Sequence, residues 1–155
     1  MIRRAEKNDA DRILVLLDQV QNVHALGRPD YFNLGARKYT EEELLEIIAD
    51  DNRPIYVFID EEGILQGYAF CVFQITEGSL SQKDRKTLYI DDLCVDENYR
   101  RHHVGQQLFD YVEKVAAEEK CDSLTLNVWE CNPSARAFYD KQGMQVLKTT
   151  LEKIL

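Results

Sequence analysis

Apolar side chains recur along this chain at two periods, and the switches between them divide it into elements. After a short β-compatible start, MIRRA, the stretch DADRILVLLDQVQNVHAL carries Ile13, Leu16, Leu17, Val20 and Val23 at helical spacing, which predicts one buried stripe. Gly27 through Tyr39, GRPDYFNLGARKY, breaks that pattern with glycine, proline and asparagine and reads as an aromatic-rich loop. Thr40 and Glu43 make a capping-box pattern ahead of Leu44, Leu45, Ile47 and Ile48, so a short second helix starts there. From Pro54 the period changes: PIYVFID and ILQGYAFCVFQIT, separated by EEG, predict a hairpin, and KTLYIDDLCVDE predicts a third strand of the same kind. Helical spacing returns with Val104, Leu108, Val112, Val115 and Ala116, followed by a strand DSLTLNVWE, a helix NPSARAFYDKQG and a last strand MQVLKTTLEKIL. The predicted order is βααβββαβαβ, a mixed α/β (α+β) sheet protein with no internal repeat and one domain over residues 1–155.

Composition agrees with a packed core, at 45% hydrophobic and 30% charged residues. No run approaches the roughly 18 consecutive apolar residues of a spanning helix, and the charged start does not resemble a signal peptide, so a cytoplasmic protein is expected. Cys71, Cys94, Cys121 and Cys131 lie in apolar segments without paired spacing; reduced buried thiols are expected, and no metal is implied. The net charge of -9 disfavours nucleic acid and anionic membranes and suits a cationic substrate such as an amine, although acidity is also an ordinary route to solubility.

Against that acidity, YRRHHVGQQLFDYVEKVAA opens a helix with two arginines, two histidines and a glycine. The first N–H groups of a helix lack intrahelical acceptors and carry the positive end of its dipole, so a phosphate can be held there by main chain. Arg100 and Arg101 add charge, and Gly105 permits close approach of a ligand to the backbone. A solvated turn with a packing glycine is the competing reading.

LYIDDLCVDENYRRHHVGQQLFDYVEKVA resembles the central motif of the GNAT superfamily of acyl-CoA N-acyltransferases, in which a strand, a [QR]-x-x-G-x-[GA] loop and a helix hold the pyrophosphate of acetyl-CoA. LTLNVWECNPSARAFYDKQGM is similar to the family's downstream signature, and the two together cover Thr87 to Met144. The resemblance implies a single GNAT-like domain: a central, mixed and mostly antiparallel twisted sheet flanked by helices, with acetyl-CoA as co-substrate. It implies that Arg100, Arg101, His103, Val104, Gly105 and Gln106 hold the pyrophosphate, that Leu93 and Val95 pair with the pantetheine arm through their backbone, and that Asn132 meets that arm. Asn132 followed by Pro133 also reads as a helix cap. His103 stands where the family usually has its first glycine; it is tolerated if the backbone keeps a negative φ, and its imidazole is able to donate to phosphate.

Transfer to an amine needs a base, stabilisation of an oxyanion, and a proton for the departing thiolate. By resemblance Tyr139 is the acid, a backbone N–H near Leu93 to Val95 serves the oxyanion, and Asp91 is the preferred base. Strand alternation sends Asp91 and Asp92 to opposite faces, and burial of either would raise its pKa toward a useful value; Asp92 and Glu130 follow as base candidates and as contacts for the amine, or the acidic pair only binds a cationic amine or a neighbouring Lys or Arg. Cys94 and Cys131 have nothing beside them to make a thiolate, so direct transfer in a ternary complex is expected. Tyr31, Phe32 and Trp129 suit an apolar or cationic acceptor and Asp30 an ammonium, or the aromatics close the core. The expected function is acetylation of a primary amine, on a small molecule or a protein, with no nucleic acid or membrane partner. A CoA-binding sensor or regulatory domain without turnover is the alternative, and a homodimer stays open.

Overall fold

The computed structural model describes residues 1–155 as one mixed sheet between two helical layers. Its elements are β1 (Ile2–Arg4), α1 (Ala10–Gly27), α2 (Glu41–Ile48), β2 (Ile55–Ile59), β3 (Leu65–Thr76), β4 (Arg85–Val95), α3 (Val104–Glu118), β5 (Ser123–Leu126) and α4 (Pro133–Lys141), with single 3₁₀ turns at Lys7–Asp9 and Glu97–Tyr99. The five strands lie in chain order. β1 to β4 pair antiparallel, and β5 joins β4 in parallel. A helix between β4 and β5 supplies the crossover that a parallel pair requires.

The helical stripes bury as their spacing predicts. Ile13, Leu16 and Leu17 of α1 meet Leu44, Ile47 and Ile48 of α2 in a core on one face of the sheet, together with Ile55, Val57, Tyr68, Phe70 and Cys94. Val23, expected on that stripe, is exposed, and Ala25 takes the buried position at that end of α1. Val104, Leu108, Val112 and Ala116 of α3 pack on Leu88 and Ile90 on the opposite face, where Phe138 and Tyr139 of α4 join them. The capping box at α2 forms: the Glu43 N–H donates to Thr40 Oγ1 at 3.2 Å and the Thr40 N–H to Glu43 Oε2 at 2.8 Å. Gly67 lets α3 press on β3, since a Cβ there would stand 2.7 Å from the Cys94 carbonyl oxygen and 3.1 Å from Leu108.

Four expectations need correction. Gly27 closes α1 and does not open the loop; its N–H still finds a helical acceptor. β5 stops at Leu126, four residues before the predicted end at Glu130. The last predicted strand, residues 144–155, takes no regular structure and pairs with no strand of the chain. Cys131 is exposed, in contrast to buried Cys71 and Cys94, because it lies in the turn that leads into α4.

The feature that positions everything else is a bulge in β4. Phe70 pairs with Asp92 and Cys71 with Ile90, which leaves Asp91 as an extra residue in the ladder. Alternation therefore changes phase: Leu88 and Ile90 point to the α3 face before the bulge, and Leu93 and Val95 point there after it.

Candidate active site

β4 and β5 pair over only four residues, Thr87 with Ser123 through Ile90 with Leu126, and then part. From Asp91 to Val95, β4 has a neighbour only in β3. A wedge opens between the two parallel strands, with unpaired β4 backbone along one wall that is able to hydrogen-bond an extended, amide-bearing ligand.

At the wedge's mouth stands the turn into α3. Asp96 fixes its entry: this carboxylate is buried, accepts from the Asn98 N–H at 2.9 Å, and is ion-paired with Arg12 of α1. Burial works against its charge, but the Asn98 N–H and Arg12 hold its pKa below the ordinary carboxylate value. Beyond it the backbone is left-handed at Arg101 (φ 71°) and again at His103 (φ 59°). This corrects the expectation that His103 keeps a negative φ. The αL turn is what points successive N–H groups into one concavity, the geometry that suits a phosphate and that glycine would adopt without penalty. Arg100 and Arg101 are exposed, and neither joins an ion pair, although the chain is acidic. Gly105 is not bare for packing reasons: a Cβ there would meet Val95 at 3.5 Å and the Phe138 ring at 3.7 Å, ordinary contact distances. Its openness therefore leaves room for a ligand over the helix N-terminus.

The bulge turns both β4 carboxylates toward the α1–α2 layer, against the expectation of opposite faces. Asp91 accepts from Lys38 Nζ at 2.9 Å and lies 3.4 Å from the Tyr39 hydroxyl. Asp92 accepts from the hydroxyl of fully buried Tyr68 at 2.8 Å. Burial raises the pKa of Asp92; Lys38 and the Tyr68 hydroxyl oppose this, and the charge of Asp91 adds to it. Burial also opposes the charge of Lys38, but its hydrogen bond to Asp91 and the two carboxylates together raise its pKa, so it stays an ammonium. Burial lowers His24, which leaves it a neutral imidazole near Asp92. Beside Phe109 and Phe138, burial and the charge of Asp92 push the Tyr139 hydroxyl well above the usual phenol value, and no hydrogen bond offsets them. It is a proton donor at neutral pH, and Asp92 is near enough for its charge to be felt there.

Residues 3–144 match the model of the acetyltransferase (GNAT) family. This chain belongs to that family. The GNAT enzyme is an acyltransferase, and enzymes of this family use acetyl-CoA. It is similar to the thialysine N-epsilon-acetyltransferase of Bos taurus, at 26% identity over 152 residues, 95% of this chain and 85% of that one. The structure of a variant of the BH1408 protein from Bacillus halodurans superposes with a TM-score of 0.96 at 29% identity, over 100% of this chain and 99% of its own. An aminoglycoside N-acetyltransferase in complex with CoA has a TM-score of 0.72 at 14% identity, over 100% of this chain and 98% of its own, a likeness of fold.

Within the GNAT frame, several predicted residues have their side chains engaged elsewhere. Val104 is buried under Gly67, so only its main chain faces the turn's concavity. Gln106 exchanges hydrogen bonds with Gln142 at 2.6 and 2.7 Å and donates to Asp110 at 2.7 Å, which ties α3 to the end of α4. Leu93 and Val95 pack on the α3 core and offer backbone to the wedge. Asn132 caps α4, accepting from the Ala135 N–H at 3.2 Å; its amide N–H₂ remains free. Cys94 is buried, with a pKa pushed up to about 12 by burial and by Asp92, and is no nucleophile.

Tyr31, Phe32 and Trp129 do converge. Both Tyr31 and Phe32 stand 5.0 Å from the Trp129 ring, and His24 stands 5.0 Å from Phe32. Asp30 does not await an ammonium, because Arg28 holds it at 2.8 Å. Arg28, Trp129, Glu130 and Cys131 border a cavity of about 310 Å³. A larger one of about 550 Å³, near Met1, Phe58 and His102, contains neither carboxylate nor Tyr139. Sequence reading missed Lys38, Tyr68 and His24. Tyr68 gave a signal, as a polar tip within an otherwise apolar strand that needs a buried partner.

Proposed function

We propose that this enzyme moves the acetyl group of acetyl-CoA to a primary amine by direct attack in a ternary complex. Asp92, in place of the expected Asp91, takes the amine proton, and Tyr139 protonates the departing sulfur. The observation that carries this reading is a buried carboxylate of raised pKa beside the parting of β4 and β5, near enough for its charge to be felt at an unengaged, protonated phenol. Acetyl-CoA supplies an acyl group activated as a thioester. Arg100, Arg101 and the N–H groups from His103 to Gln106 bind its pyrophosphate; Leu93 and Val95 align the pantetheine arm through main chain, and Asn132 reaches it with its free amide donor. A backbone N–H between Leu93 and Val95 meets the thioester carbonyl.

On the acceptor side, Lys38 neutralises Asp91, so Asp92 is the carboxylate left to receive a proton, directly or through one water. The aromatic wall of Tyr31, Phe32 and Trp129, with Glu130 at its rim, suits an amine carried on a short apolar stem. The printed name of the Bos taurus relative, an Nε-acetyltransferase of thialysine, supports a small amine over a protein. The test combines thermal stabilisation by acetyl-CoA with thiol release over a panel of small amines and lysine peptides. Tyr139→Phe is expected to keep the stabilisation and lower turnover by about 100-fold or more. Equal turnover in that variant would remove Tyr139 from the chemistry.

A further inference from the structure

The acceptor side of the site already holds a primary amine of its own. Lys38 Nζ donates to Asp91 Oδ2 at 2.9 Å, at the point where β4 leaves β5, and the charges of both Asp91 and Asp92 reach it. Lys86 and Lys114 also sit in ion pairs, but with Glu119 and Glu118 at the C-terminal end of α3; among the lysines, Lys38 alone meets the β4 carboxylates.

Its neighbours build this placement. Arg37 is fastened to Asp18 of α1 at 2.8 Å, and the Tyr39 ring is stacked on Phe70 at 5.9 Å, so the chain is held on either side of Lys38 and its side chain is directed at the bulge. That side chain is 38% exposed, neither free in solvent nor sealed in the core. An ammonium on a four-carbon stem is flexible enough to move between adjacent carboxylates. It stands where an acceptor amine must give up its proton.

We infer that Lys38 is itself an acetyl acceptor, modified by the chain that carries it. The inference rests on the reading of Asp92 as base and Tyr139 as acid. Asp92 takes one proton from the ammonium and passes it to solvent, and the freed lone pair forms the N–C bond at the acetyl carbonyl of acetyl-CoA. The C–S bond breaks with its electron pair on sulfur. Sulfur takes the Tyr139 proton, and the second nitrogen proton restores the phenol. The product amide carries no charge, so the ion pair with Asp91 is lost, and with it one fastening of the loop between α1 and α2.

Selectivity separates this step from uncatalysed acetylation. A thioester reacts with deprotonated lysines, and the two carboxylates hold Lys38 as an ammonium, so in solution chemistry it should lag behind exposed Lys83 and Lys120. The full chain, incubated with acetyl-CoA in amine-free buffer, is followed by intact mass and peptide mapping. Lys38 is expected to gain one acetyl group at least about 100-fold faster than Lys83 and Lys120, with a rate constant independent of protein concentration. Tyr139→Phe should slow that gain by about 100-fold and leave Lys83 and Lys120 as they were. Lys38→Arg should abolish it, and a small amine that the enzyme turns over should protect Lys38. An unmodified Lys38 in a preparation that acetylates small amines overturns the inference and leaves the reading of the site standing; no modification together with no turnover on any amine overturns both. Modification no faster than at Lys83, equal in Tyr139→Phe, or accelerating with protein concentration also overturns the inference.

Discussion

Two loops flank the wedge, and they treat charge in opposite ways. On the acceptor side, Arg28 pairs with Asp30 and Glu152, Arg37 with Asp18, and Lys38 with Asp91. At the turn into α3, Arg100 and Arg101 have no partner, and the one strong ion pair nearby, Arg12 with Asp96, serves to anchor the turn. Self-satisfied charges give a loop its shape; unsatisfied ones on a concave stretch of N–H groups wait for an anion. The contrast separates what positions an acceptor from what grips a phosphate, and substitutions on the two sides should fail in different assays.

The largest expected effect lies on the acceptor wall. Asp92→Asn should lower kcat by about 100-fold or more while acetyl-CoA affinity, measured by calorimetry, stays as it was. A parallel fall in affinity would break the division between the loops. The same variant has a stability signature. The folded protein raises the pKa of Asp92, so its ionised form costs stability. Asp92→Asn should therefore melt at higher temperature above the folded pKa, lose that advantage as pH falls through it, and show none below the unfolded value of 3.8.

Next comes the anchor of the turn. Asp96→Ala leaves Arg12 and the Asn98 N–H without their acceptor and should cost about 3 kcal/mol of stability by denaturant titration. Since the folded pKa of Asp96 is lowered, its contribution is present above the unfolded value and fades as acid titrates the folded carboxylate. Arg100→Ala should weaken acetyl-CoA binding by about 1 to 3 kcal/mol, more at low salt than at high, while Arg37→Ala leaves that affinity unchanged. The smallest effect is the most local: His103→Gly should raise stability by about 1 kcal/mol by relieving a left-handed residue. If acetyl-CoA affinity falls in that variant, the imidazole is a phosphate donor.

Periodicity made most of the fold legible, because α1, α2, α3 and the hairpin of β2 and β3 each bury a face whose spacing is local. The α3 turn was legible for the same reason: arginines, glycine and helix onset are adjacent in the chain. Asp91 and Asp92 were visible as misfits in an apolar strand, but their shared face was not. It depends on a bulge, and a bulge depends on how β3 and β4 register, which is not a local quantity. Lys38 escaped notice because its partner lies 53 residues away. The positive φ of His103 was misjudged because helix entry alone permits either hand. The last strand had the right pattern, but pattern reports what a segment could pair with, not where the partner is.

The bulge at Asp91 also predicts how this enzyme tolerates lost residues. A strand is a two-stroke repeat, and β4 slips by one stroke midway, so that its first half serves the α3 layer in one beat and its second half in the other. Deleting Asp91, the extra residue, would restore the beat and leave Leu93 and Val95 under α3 and Cys94 under α1, in the register β3 already offers. A missing codon there would therefore leave both cores standing and remove only the carboxylate that holds Lys38.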